Sequence, residues 1–74
     1  MNSLDEFVSI IRDQLGLMVT RDDMNAGLDE IPGWDSVHLL FLLAVLERVT
    51  GRRMSMPDML EASNLARIYE LAGG

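Results

Sequence analysis

Neither cysteine nor lysine occurs among the 74 residues, aromatic side chains make up 5% of the chain, and there are only two prolines. Without cysteine, disulfides and thiolate zinc sites cannot supply stability, so folding rests on packing alone. Without lysine, all six basic residues are arginine; they stand against twelve acidic ones and leave a net charge of −6. That balance disfavours nucleic acid and anionic membranes as partners, because both are bound chiefly through clustered cations. No apolar run approaches the length a membrane-spanning helix needs. The stretch Met1 to Glu6 is acidic and lacks the basic-then-apolar layout of a signal peptide. A soluble, cytoplasmic, monomeric protein is expected. Its length allows one small domain over residues 1–74, with little room for both a core and a deep catalytic pocket, so an enzyme is not expected.

What the chain does have is 49% apolar residues in helical patterns. Ser3-Leu4-Asp5-Glu6 fits a capping box, and Leu4, Phe7, Val8, Ile11 and Leu15 follow at helical spacing until Gly16 offers an exit. From about Gly16 to Trp34 the periodicity breaks into turn clusters, predicting a long loop that Leu17, Met18, Val19, Met24, Leu28, Ile31 and Trp34 pin down. A second helix is predicted from Asp35 or Ser36 to Thr50, capped by Gly51, with Arg48, Arg52 and Arg53 near its negative end. Pro57 suits the first turn of a short helix ending at Leu60 or Glu61. Ser63 or Asn64 then caps a last helix carrying Leu65, Ile68, Tyr69 and Leu71, ended by Gly73-Gly74. The expected fold is all-α: a small bundle of three main helices plus one short helix, with a long loop between the first two. The charge is uneven, since residues 1–35 hold eight carboxylates against two arginines and the remainder balances. Either this acidic half keeps the protein soluble or it faces basic partner enzymes.

Candidate chemistry concentrates at Gly33-Trp34-Asp35-Ser36-Val37, where a turn opens into the longest apolar run. A hydroxyl at a helix start sits beside unpaired N–H groups and the positive dipole end, which suits a phosphate ester; Asp-Ser before an apolar run is also an ordinary helix cap. His38 is no base for Ser36, because two residues along a helix rotate by about 200°. Asp23 to Trp34 imitates a calcium loop only partly: Leu28 falls where glycine is required and Trp34 where the bidentate glutamate belongs. No metal site and no catalytic residue is expected. Asp22-Asp23 and Asp29-Glu30 read as solvated turn residues. Along the second helix Val37, Leu40, Phe41 and Ala44 share the face next to the serine and are expected to dock partners, while Leu39, Leu42, Leu43 and Leu46 suit the core. Met56 and Met59 are expected to extend the partner face. Met18, Met24 and Met54 are expected to be core filler.

The pentapeptide resembles the attachment motif of acyl carrier proteins, whose serine receives 4′-phosphopantetheine from coenzyme A. The segment from Thr50 to Ala66, with Gly51-Arg52-Arg53-Met54, Pro57, Leu60-Glu61-Ala62 and Ser63-Asn64, is similar in register to the peptidyl carrier, or thiolation, domains of nonribosomal peptide synthetases. The chain departs from both patterns. Trp34-Asp35 is the acyl-carrier form, Ser63-Asn64 stands in place of proline-threonine, and no acidic residue lies between Ser36 and Leu46 where fatty-acid carriers have several. The resemblance implies a carrier-type helical bundle with covalent 4′-phosphopantetheine on Ser36, and Asp35 assisting modification or docking. It further implies a phosphopantetheinyl transferase, an adenylating or loading enzyme, and downstream tailoring or condensing enzymes as partners. Aminoacyl or peptidyl cargo is expected ahead of a polyketide or fatty acyl group. A helical interaction module with an unmodified serine is the rival of another class.

Overall fold

The computed structural model describes residues 3–73. Its helices are α1 (Leu4–Ile10), α2 (Ser36–Thr50), α3 (Met56–Glu61) and α4 (Leu65–Leu71), with no named strand among the described residues. This is the all-α bundle that the apolar spacing predicts.

Local signals start and stop these helices as expected. The Ser3 hydroxyl accepts from the Glu6 N–H at 3.2 Å and opens α1. The first helix does not stay α-helical to Gly16, however: residues Ile11–Leu15 form a wider π turn. The wider turn keeps Ile11 and Leu15 buried in the same cluster as Phe7. Asp35 caps α2, and Gly51 ends it in the left-handed conformation at φ 68°, a region costly for a side chain bearing Cβ. The Ser55 hydroxyl accepts from the Asp58 N–H at 3.4 Å at the head of α3, whose first turn holds Pro57. Between the two caps offered for the last helix the structure selects Asn64, whose Oδ1 accepts from the Arg67 N–H at 2.9 Å. Of the expected exit Gly73-Gly74, Gly73 takes φ 91° just beyond the Ala72 cap of α4, and Gly74 lies outside the described residues.

The long connection between α1 and α2 is more ordered than turn composition predicts. It contains 3-10 turns at Arg21–Asn25 and Leu28–Glu30. Two carboxylates expected to be merely solvated hold these turns in place. Asp23 accepts from the Thr20 N–H at 2.8 Å, and Glu30 from the Gly27 N–H at 2.8 Å. The connection also pairs with the chain before α4 through an antiparallel bridge between Gly27 and Asn64, where the Leu28 N–H donates to the Ser63 carbonyl at 3.1 Å. Leu17, Val19, Met24 and Ile31 are buried, and Leu28 and Trp34 pack against the core. Met18 corrects the expectation of core filler: it is 81% exposed. Neighbours on an extended segment point to opposite sides, so burial of Leu17 and Val19 turns Met18 outward.

One hydrophobic cluster joins all these parts. Phe7, Ile11, Leu42, Leu46, Met59, Leu65 and Ile68 are its most deeply buried members. The Phe7 and Tyr69 rings meet at 5.2 Å with a tilt of 52°, linking α1 to α4. α2 packs on the π turn and on α3, and α4 on the first 3-10 turn. Leu46→Ala should cost about 2–5 kcal/mol, the usual range for emptying a closed apolar site. Met18→Ala should stay within about 0.5 kcal/mol of the parent. Urea unfolding of the two variants provides the comparison, and equal effects would contradict the core assignment.

Candidate functional site

The site is built by the turn that delivers the chain to α2. Trp34 packs against the core, and its N–H donates to the Ile31 carbonyl at 3.1 Å. Gly33 makes the reversal at φ 84°, and a Cβ there would stand 3.2 Å from Leu17 Cδ2. The position therefore suits glycine both in backbone conformation and in space. Behind this turn Asp35 takes the extended N-cap conformation, which leaves Ser36 as the first helical residue, with its side chain exposed.

Asp35 does more than a usual cap. Its Oδ1 accepts from the His38 backbone N–H at 2.9 Å and meets His38 Nδ1 at 2.8 Å. The backbone bond from His38 first, then the ring bond, hold the Asp35 carboxyl below the usual carboxylate range. His38 is thus engaged with Asp35, in keeping with the helical geometry that turns it away from Ser36. Nothing in the described residues gathers three metal-ligating side chains.

Along α2 the faces divide much as the spacing predicts. Leu39, Leu42 and Leu46 are buried, Leu43 packs against the core, and Val45 joins them at 3% exposure. Val37, Leu40, Phe41 and Ala44 are exposed, the first three among the most exposed large apolar residues of the protein. Met56 is half-buried against the core. Met59 is a correction: at 0% exposure it is core, and so offers nothing to a partner. Its neighbour Leu60 is 63% exposed instead. The roll of a helix as short as α3 is set by what it packs on, so the sequence offered no strong signal to choose Leu60 over Met59.

At the far end of α2, Glu47 accepts from the Met54 N–H at 3.0 Å, and the Thr50 hydroxyl donates to the Leu46 carbonyl at 2.7 Å. The Glu47 bond ties the α2–α3 link back to α2, and the Thr50 bond closes the last turn of the helix itself.

No family model matches the chain, and no curated protein matches it.

The lowered Asp35 pKa has a definite sign. A carboxyl whose folded pKa lies below its unfolded value adds stability above the unfolded pKa, and that stability is lost as pH falls through the folded pKa. The gap in melting temperature between the parent and Asp35→Ala should therefore be larger above the usual carboxylate range than below it. Thermal melts across an acid series check this; a gap that widens in acid would contradict it.

Proposed function

We propose that the protein is a phosphopantetheine-bearing carrier, modified on Ser36, that presents an aminoacyl, peptidyl or acyl group to separate biosynthetic enzymes. The observation that carries this is the presentation of Ser36: an exposed primary hydroxyl at the first position of a 15-residue helix, directly after the capping carboxylate and beside an exposed apolar face.

The residues present fit the 4′-phosphopantetheine group. Attachment needs a hydroxyl that a second protein can reach, and Ser36 is exposed at a helix head whose dipole favours a phosphodiester. A phosphopantetheinyl transferase would join the Ser36 oxygen to the phosphorus of coenzyme A's phosphopantetheine. The O–P bond forms as the bond to the nucleotide phosphate breaks, adenosine bisphosphate leaves, and the hydroxyl proton passes to a base of the transferase. When bound, the group supplies a flexible arm ending in a thiol that carries cargo as a thioester. Asp35 keeps the helix head ordered and offers a negative charge next to the hydroxyl. Val37, Leu40, Phe41 and Ala44, extended by Leu60, offer apolar area for the transferase, the loading enzyme and later tailoring or condensing enzymes to cover. Binding of this kind raises the effective concentration of the cargo at each partner.

The absence of acidic residues between Ser36 and Leu46 favours aminoacyl or peptidyl cargo, and with it natural-product synthesis, over fatty acyl cargo. No helix among the described residues is long and apolar enough to cross a membrane; a cytoplasmic, monomeric carrier accords with that. The exposed apolar face by itself equally favours an unmodified interaction module, so the test must address the serine.

Incubation with coenzyme A and a broad-specificity phosphopantetheinyl transferase should add the mass of one phosphopantetheinyl group, seen by intact-mass spectrometry and abolished in Ser36→Ala. No gain, or a gain that survives the substitution, would leave the interaction module standing. Phe41→Ala should slow modification or loading several-fold while circular dichroism stays unchanged. A collapse of helicity in that variant would instead make Phe41 a structural residue.

A further inference from the structure

An N-cap needs one acceptor for one backbone N–H, and Asp35 meets that need with the bond from His38 N at 2.9 Å. The second contact, from the His38 ring nitrogen Nδ1 to the same Oδ1 at 2.8 Å, is surplus to capping. Both contacts come from one residue and land on one oxygen. The acceptor is thereby held by two donors whose positions the first turn of α2 defines, and the short aspartate side chain loses the freedom to swing about its terminal torsion. His38 is itself constrained, its side chain only 28% exposed, whereas the Asp35 side chain keeps 58% exposure. What remains accessible is an ionised carboxylate of fixed direction, beside an exposed hydroxyl on the adjacent residue.

We infer that His38 is a positioning residue for modification of Ser36: by holding Asp35 Oδ1 through Nδ1–H, it aims the exposed carboxylate at a cationic group of the transferase that docks there. The inference rests on the carrier function proposed above. His38 takes no proton from Ser36 and touches no reacting atom; it acts through Asp35. Binding to a preorganised carboxylate spares the cost of ordering it on contact. The effect therefore belongs to recognition of the unmodified protein and not to the chemical step.

Two variants separate this from a structural role. Asparagine carries its side-chain amide nitrogen near the place of Nδ1, so His38→Asn retains a donor, whereas His38→Leu fills similar space without one. With coenzyme A saturating and product followed by intact mass, His38→Leu should raise the transferase's KM for the unmodified protein roughly three- to tenfold, the worth of one hydrogen bond. Its kcat should stay near the parent value, and His38→Asn should recover most of the loss. In the unmodified parent, nitrogen-15 NMR of the imidazole should show the proton on Nδ1. A parental KM in His38→Leu, an equal defect in His38→Asn, a loss confined to kcat, or a proton on Nε2 alone would each overturn the inference while leaving the carrier function intact. Failure of the parent to gain mass would overturn both.

Discussion

The burial of one side of α2 is the constraint on which the rest of the structure depends. Leu39, Leu42, Val45 and Leu46 turn toward the interior, and Leu42 and Leu46 are wholly enclosed. In a chain with no cysteine, these contacts and their neighbours must carry the fold. Because α2 is anchored from one side, its other side is left to solvent, and Val37, Leu40 and Phe41 lie there next to Ser36. Core and candidate surface are thus two consequences of one helix and its rotational setting.

The head of that helix is set by a chain of local devices. Gly33 turns the backbone where Leu17 leaves no room for a side chain, Trp34 fastens the turn to the core, and Asp35 closes the first turn of α2 through His38. The connection before it is fastened as well: Asp23 and Glu30 each take a backbone N–H, and the Gly27–Asn64 bridge ties it to the start of α4. A segment that reads as loop is in effect part of the core: its Leu17, Val19, Met24 and Ile31 are buried in the same cluster as Leu39, Leu42 and Leu46, and its first 3-10 turn packs on α1 and α4. Ser36 therefore stands on a mount fastened by these contacts while remaining exposed, as the proposed carrier function requires.

Much of the fold was legible because its signals are local. The Ser3 cap, the αL exit at Gly51 and the Pro57 start act within one turn, so residue type and spacing suffice to place them. The division of α2 into Leu39, Leu42 and Leu46 against Val37, Leu40 and Phe41 followed from helical periodicity. Met18 and Met59 were misplaced for a shared reason. Each has an apolar neighbour that competes for the interior, Leu17 or Val19 in one case and Leu60 in the other, and methionine's flexibility makes its composition uninformative about direction. The π turn at Ile11–Leu15 was invisible because its apolar residues fit an α pattern nearly as well.

By itself the sequence determined the helical class, the element order, the position of Ser36 at the head of α2 and the face that adjoins it, because caps and periodicity act over a few residues. The tertiary structure alone decided which cap opens α4, that the connection after α1 is fastened by Asp23, Glu30 and the bridge to Asn64, and that Leu60 rather than Met59 meets solvent. It also placed the His38 ring on Asp35 Oδ1. Those outcomes depend on the roll of short helices, on contacts between segments far apart in the chain, and on side-chain torsions, none of which residue spacing encodes.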